Sequence, residues 1–195
     1  MGVYDFLKFI VILILTFGIF PFCFSQDKIE KETRIKPREV PSEAKIWLQD
    51  AFEKIQKPKW YLEYSQNGKS YEAKFHYQGH FHSVEFDSLG SVEDVEIEID
   101  HSEVSGDVWK VIQSYFESEF EQVKVEKIQR QFSGSKSDLE DFFDEEDADG
   151  VTTQYEIVFQ GKNEEWSLWE ALFDDSGKFI SKLKVQIRPS DNLIF

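Results

Sequence analysis

The residues best suited to chemistry lie in an acidic segment of the chain. Residues 138–150 carry eight carboxylates in thirteen positions. A calcium-binding loop takes oxygens from alternate positions, a glycine for the sharp turn and a closing glutamate. That spacing is matched by Glu145, Asp147, Asp149, Gly150 and Glu156. Because the first ligand is not aspartate and the last lies in a predicted strand, the alternative is a solvated acidic loop. Calcium is the one cofactor that the sequence indicates.

Other catalytic chemistry finds little support. His76, His80 and His82 alternate along one predicted hairpin, with His76 on the face opposite to the other two, which favours packing over a zinc or copper site. The chain has one cysteine, and it contains no nucleophile elbow, zinc-protease motif or phosphate-binding glycine loop. We therefore predict that the protein is not an enzyme.

Charge and composition limit the partners. The 195 residues include 38 acidic and 22 basic side chains, and the formal net charge is -16. Phosphate recognition needs clustered lysine and arginine, so binding to nucleic acid is disfavoured. An aromatic content of 16% supplies enough apolar surface to offset the entropy cost of folding. A protein or peptide is the expected partner.

The N-terminus indicates export. Residues 9–24 are almost entirely apolar, and Cys23 and Ser25 are small residues at the -3 and -1 positions of a cleavage site before Gln26. We predict a signal peptide at residues 1–25, because the run is shorter than the ~20 residues that span a bilayer; an uncleaved anchor is the alternative. The cleaved protein would be periplasmic or secreted, without a membrane segment. Residues 26–39 alternate in charge and predict a flexible linker.

An internal repeat is the most informative pattern. Residues 40–52 and 104–116 both carry apolar side chains at helical spacing, and the strand-like segments 71–75 and 84–90 recur as 155–159 and 171–177. The growing offset places an acidic insert at residues 133–152. We predict an α+β fold of two tandem repeats, residues 40–102 and 103–195. Each is a helix plus a four-stranded antiparallel sheet, with the helices on one sheet face.

The first hairpin has a predictable register. A two-residue turn at Gln78 and Gly79 brings three pairs of residues together on one buried face. These pairs are Phe75 with His82, Ala73 with Val84, and Tyr71 with Phe86.

These motifs resemble a known family. The Lys59-Trp60 strand, the segment Tyr-Glu-Ala-Lys-Phe at residues 71–75 and the hairpin at residues 79–90 are similar to the β-lactamase-inhibitor-like, PepSY-like domains of exported bacterial proteins. The resemblance covers residues 40–188 and implies two tandem repeats whose sheets form an extended surface. In the inhibitor-like relatives the open sheet face grips a partner protein. The acidic insert departs from that pattern.

A candidate binding surface lies in the second repeat. The phase of the predicted strands leaves Trp166, Leu168, Leu172 and Val158 on the face opposite to the core. The alternative is that Phe142 and Phe143 or the tail at residues 193–195 cover this patch. We predict an exported, non-enzymatic binding module that engages or inhibits a protein or peptide through the open sheet face. The alternative function is a calcium-binding or ion-responsive periplasmic protein that acts through the insert.

Overall fold

The computed structural model describes residues 27–28, 31–65 and 68–185, which contain three α-helices, ten strands and two short 3-10 helices, Pro37–Glu39 and His101–Glu103. The helices are α1 (Ser42–Ala51), α2 (Gly106–Glu119) and α3 (Lys136–Glu145). The strands are β1 (Asp27–Lys28), β2 (Lys31–Ile35), β3 (Lys59–Ser65), β4 (Gly68–Tyr77), β5 (His80–Phe86), β6 (Val92–Glu98), β7 (Gln122–Ser133), β8 (Thr152–Lys162), β9 (Trp166–Asp174) and β10 (Phe179–Val185). The predicted signal peptide at residues 1–25 lies outside the described residues.

All ten strands belong to one sheet, in the order β1-β10-β9-β8-β7-β6-β5-β4-β3-β2. Nine of them pair antiparallel, and the two residues of β1 pair parallel with the end of β10. Residues 31–35, expected to belong to a flexible linker, form the edge strand β2 against Trp60–Tyr64 of β3. Pairing satisfies backbone groups that β3 would otherwise leave open at its edge.

Amphipathic spacing produces α1 and α2, as predicted. Helix α1 follows Pro41 and buries Ala44, Trp47, Leu48 and Ala51 against the sheet. Helix α2 begins at a serine cap, where Ser105 Oγ accepts a hydrogen bond from the Val108 amide at 3.3 Å. Its buried side is formed by Ile112 and Phe116.

The predicted register of the first hairpin is confirmed. Strands β4 and β5 pair Phe75 with His82, Ala73 with Val84, and Tyr71 with Phe86, and all six residues are buried. Gln78 and Gly79 both have positive φ, as a tight hairpin turn requires.

Two turn glycines hold the sheet close to the starts of the helices. Gly90, between β5 and β6, has φ 93°, and a Cβ there would lie 2.8 Å from the Pro41 Cβ. Gly177, between β9 and β10, has φ 83°, and its Cβ would lie 2.5 Å from the Val108 carbonyl oxygen. Only glycine allows both the backbone conformation and the close approach.

The prediction of two tandem helix-plus-four-strand repeats is wrong, because the sheet and the core both run across the proposed boundary. Strand β6 pairs with β7 from Asp94–Ser133 to Glu98–Gln129, so the backbone ladder is continuous. The apolar cluster beneath α1 also contains Phe132 and Leu139, which the prediction assigned to the second repeat. The fold is therefore one mostly β, antiparallel sheet with three helices.

The acidic insert contributes a helix to that core. Ser135 and Asp138 cap the start of α3 reciprocally, and the Trp47 indole nitrogen of α1 donates a hydrogen bond to the Lys136 carbonyl at 3.1 Å. Phe142 and Phe143 pack against the apolar cluster beneath α1. The acidic side chains of α3 are mostly exposed, while its apolar face completes the core beneath α1.

Replacing Leu139 tests this shared core. Leu139 is fully buried, so we expect Leu139→Ala to lower the free energy of unfolding by about 2–5 kcal/mol, because it leaves a cavity beneath α1. Urea unfolding monitored by circular dichroism measures the loss. Leu89, 77% exposed in a turn, provides the control variant Leu89→Ala. Equal effects of the two substitutions would contradict the role assigned to α3.

Candidate partner-binding face

The helices cover one face of the sheet, and the opposite face carries the alternate residues of every strand. We call this second surface the helix-free face. Because successive side chains of a strand point to opposite faces, residues next to the core positions in sequence belong to it. It has an acidic part on β3 to β6 and an apolar part on β8 and β9.

The acidic part contains five carboxylates on four neighbouring strands, which we call the acidic cluster. Its members are Glu63, Glu72, Glu85, Asp94 and Glu96. Glu85 lies directly between Glu72 on β4 and Asp94 on β6 in the strand register. Like charges directly opposite each other destabilise a sheet, so this arrangement costs folding free energy.

Neighbouring polar groups offset part of that cost. Lys74 Nζ lies 2.9 Å from Glu72 Oε2 and 3.1 Å from Glu32 Oε1. The hydroxyl of Ser83 donates a hydrogen bond to the Glu72 carboxylate. These contacts satisfy the β4 side of the cluster.

Strand β7 satisfies the other side with amides. Gln129 Nε2 donates to Glu96 Oε2 at 2.7 Å, and Gln131 Nε2 donates to Asp94 Oδ2 at 3.2 Å. Amides solvate the carboxylates without neutralising them. The cluster therefore keeps a net negative charge at a partly buried position.

The pKa of Glu85 shows the effect of this crowding of carboxylates most clearly. Burial, together with the charges of Asp94, Glu96, Glu63 and Glu72, raises the pKa of Glu85 to about 9. Its carboxyl group is therefore protonated at neutral pH. A carboxyl group so strongly perturbed by burial and by specific neighbours is typical of functional sites.

The apolar part consists of the four residues predicted to bind a partner, which we call the apolar patch. Val158, Leu168 and Leu172 lie half-buried on the helix-free face, and Trp166, at the start of β9, is 47% exposed. In the register, Leu168 lies opposite Gln160, and Leu172 lies opposite Glu156. Their role in binding stays a prediction.

The alternative that Phe142 and Phe143 of the insert cover the apolar patch is wrong. Phe142 and Phe143 pack against Phe132 and Phe52 on the helix-bearing side of the sheet. The tail at residues 193–195, the other cover considered, lies outside the described residues. The apolar patch also continues onto β10, where Leu183 lies beside Glu170 of β9.

The structure separates the four calcium-candidate residues. Glu145 ends α3, Asp147 and Asp149 lie in the following loop, and Glu156 is a β8 residue of the helix-free face. Within the described ranges, no group of three or more His, Cys, Asp or Glu side chains is arranged to hold a metal ion. Calcium binding through these residues stays a prediction.

His76 and His82 take packing roles, while the ring of His80 contacts the Glu98 carbonyl and the Glu103 carboxylate. His82 is buried, stacks on Phe75 with 5.5 Å between ring centroids, and contacts Phe52 edge-on. Burial lowers the pKa of His82 to about 4, so the ring is neutral at pH 7. His76 lies on the other face, beside Phe81.

Sequence reasoning did not identify the acidic cluster as a site. The signal was present, because Glu72, Glu85, Asp94 and Glu96 all fall on the polar phase of their strands. The acidic composition made this signal hard to recognise, since an acidic chain has carboxylates on most polar positions.

The described part of the chain contains no helix with the length and apolar character needed to cross a membrane.

Solved structures identify the class of fold as one shared with β-lactamase-inhibitor-like proteins. A BLIP-like protein from Bacteroides fragilis matches with a TM-score of 0.51 and 14% identity, covering 77% of this chain and 90% of that chain. At this identity the likeness shows the fold alone. It confirms the resemblance that the sequence motifs indicate.

Two further structures share the fold. A DUF2874 family protein from Bacteroides uniformis matches with a TM-score of 0.54 and 15% identity, covering 74% of this chain and 89% of that chain. A protein from Bacteroides eggerthii, described with a proposed periplasmic location, matches with a TM-score of 0.52 and 18% identity, covering 74% and 88%. No protein-family model and no curated protein matches the sequence.

The perturbed carboxyl group of Glu85 predicts an unusual pH dependence. Because its pKa is raised in the folded state, its contribution to stability is complete below the unfolded value of 4.5 and is lost as pH rises towards 9. We expect Glu85→Gln to match the wild type near pH 4 and to exceed its free energy of unfolding by roughly 3 kcal/mol at pH 7. Urea unfolding at each pH measures the difference.

A surface variant controls for the loss of one negative charge. Glu165 is exposed in the β8–β9 turn, so Glu165→Gln removes a carboxylate far from the acidic cluster. A stability difference for Glu85→Gln that does not grow between pH 4 and pH 7 would contradict the electrostatic account of the cluster.

Thermal unfolding tests the calcium prediction. A site that calcium occupies at one hundred times its Kd would stabilise the folded state by about 2.7 kcal/mol. Because the structure keeps the four carboxylates apart, we expect melting curves in EDTA and in millimolar calcium to superimpose. A rise in melting temperature with calcium that Asp147→Asn abolishes would instead support calcium binding by this loop.

Proposed function

We propose that the protein is an exported, non-enzymatic binding module that engages another protein or a peptide through its helix-free face, and that the bound partner is inhibited or sequestered. The observation that carries this proposal is the composition of that face. The apolar patch, with Trp166 exposed, and the buried and half-buried carboxylates of the acidic cluster lie on the same face on either side of β7, and the described helices all pack on the other side of the sheet.

The apolar patch suits a protein interface. Interfaces owe much of their affinity to a few large side chains near their centre, and tryptophan is among the commonest. Trp166 is exposed at one end of the patch, while Leu168, Leu172 and Val158 are half-buried and pre-ordered by the sheet. A rigid surface of this kind loses little conformational entropy on binding.

The acidic cluster suits a partner with basic side chains. A lysine or arginine brought to the cluster would place a positive charge beside carboxylates that accept hydrogen bonds from the amides of Gln129 and Gln131. Charge complementarity of this kind speeds association and selects the correct partner. The face as a whole therefore fits a protein surface that combines apolar and basic residues.

The comparisons support this proposal by analogy. The name of one structural neighbour relates it to a β-lactamase inhibitor, and the description of another proposes a periplasmic location. The predicted signal peptide at residues 1–25, cleaved before Gln26, would bring this chain to the same compartment. Neither calcium nor a catalytic group has a part in the proposed function.

A pull-down with matched variants tests the proposal. The tagged protein serves as bait and is recovered from the periplasmic fraction of its own host. The proteins bound to the wild type and to each variant are then eluted and compared. We expect one dominant partner, whose affinity falls at least about tenfold with Trp166→Ala because an interface anchor is removed.

Ile46 provides the control. It is 52% exposed on α1, so Ile46→Ala removes a comparable apolar side chain from the helix-bearing side. We expect this variant to bind like the wild type. Binding that survives Trp166→Ala and is lost with Ile46→Ala would move the interface to the helices and overturn the proposal.

A further inference from the structure

Two adjoining clefts open where the loop after α1 meets strands β3 to β5. The smaller has a volume of about 500 Å³ and lies between α1 and β3. The larger, about 1040 Å³, lies on the other side of the loop, beside the β4–β5 hairpin. Both are lined by Lys54, Ile55 and Lys57, so the loop forms a wall between them. Volumes in this range are typical of small-molecule sites.

The charge of these clefts is opposite to that of the protein. Residues 40–102 contain twelve acidic and six basic side chains, and the six basic ones are all lysines. Five of the six line the clefts, namely Lys45, Lys54, Lys57, Lys59 and Lys74, and none of the described lining residues is acidic. Lys74 is already paired with Glu72 and Glu32. In a chain with a net charge of -16, the lysines around the smaller cleft, Lys45, Lys54 and Lys57, are therefore the groups that favour an anion.

The smaller cleft joins these charges to an apolar floor. Leu48 of α1, Phe52 directly after α1 and Trp60 of β3 contribute this apolar floor, and Ile55 and Pro58 also line the cleft. Lys54 and Lys57 come from the loop at its rim, and Lys54 is exposed, with Glu53 at 3.3 Å as a weak surface partner. A ligand here would place an apolar group on the floor and a negative charge at the rim.

We propose that the smaller cleft binds a small amphipathic carboxylate, with its hydrocarbon chain on the floor formed by Leu48, Phe52 and Trp60 and its carboxylate on Lys54 and Lys57. The site lies on the helix-bearing side of the sheet, so it is independent of the proposed protein-binding face.

A structural role for the same lysines makes a different prediction. Cations near the C-terminus of a helix stabilise it through the helix dipole, and Lys54 follows the end of α1 at Ala51 by three residues. In that case the lysines affect stability and no ligand binds. The measurement must therefore report both binding and stability.

Calorimetric titration of the purified protein with decanoate, below its micelle-forming concentration, measures binding. Decanol carries the same chain without the charge, and acetate carries the charge without the chain. We expect saturable binding of decanoate at least about tenfold tighter than that of decanol, and none of acetate, because both parts of the site contribute. Equal affinity for decanoate and decanol, or no saturable binding of decanoate, would overturn the proposal.

Two sets of variants locate the site. Lys54→Asn suits the positive φ of 60° at that position, and together with Lys57→Glu it removes the cationic rim. We expect the double variant to weaken decanoate binding at least about tenfold with the melting temperature nearly unchanged. Lys110→Glu, which reverses the charge of an exposed lysine on α2, is the control for a change of charge away from the cleft and should bind normally.

Nuclear magnetic resonance shows where the hydrocarbon chain of decanoate lies. We expect decanoate to shift the indole N–H signal of Trp60 and to leave that of Trp166 unmoved. Trp166→Ala should retain full decanoate affinity, so failure of the protein-binding proposal and failure of this one are distinguishable. A shift confined to Trp166 would place the ligand on the helix-free face and overturn the assignment.

Discussion

The pairing of β6 with β7 is the interaction on which the rest of the structure depends. Five residue pairs, from Asp94–Ser133 to Glu98–Gln129, join strands that would otherwise be the edges of two smaller sheets. On the helix-bearing side the same pairing sets Val95 opposite Phe132, so a residue of β7 enters the core beneath α1. On the helix-free side it brings the amides of β7 to the carboxylates of β6. One backbone ladder thus creates both the shared core and the acidic cluster.

The two faces of the sheet contribute differently to stability. The helix-bearing face buries two aromatic clusters, where Phe, Trp and Tyr rings pack edge to face beneath α1 and α2. The helix-free face carries an arrangement that lowers stability, since Glu85 lies between two other carboxylates. Proteins retain costly arrangements of charge mainly where function needs them. The surplus of apolar burial on one face allows the unfavourable electrostatics on the other.

Local patterns predicted much of the fold correctly, for identifiable reasons. The Gln78-Gly79 turn determines the β4–β5 register, because a two-residue hairpin leaves no freedom in the pairing. Apolar spacing identified α1 and α2. Three elements were missed. Strands β1 and β2 lie in the predicted linker and form by pairing with β10 and β3, and α3 was hidden by the acidic residues of its exposed side. In β7, a register shift between Val125 and Lys127 also changes the phase of the strand, which simple alternation cannot reveal.

The sequence by itself determined which residues of the first hairpin face the core, where α1 and α2 form, and that four apolar residues of β8 and β9 share the face opposite to the core. These features depend on neighbours a few positions away, so spacing is sufficient to specify them. Tertiary structure decided that the strands form one sheet, that Leu139 completes the core beneath α1, and that five lysines line clefts in an acidic protein. Each of these unites residues far apart in the chain, through backbone pairing and side-chain packing that no local period encodes. The opening acidic segment illustrates the difference, because its many carboxylates indicate a solvent-facing stretch, while Leu139, Phe142 and Phe143 pack its first part, α3, into the core.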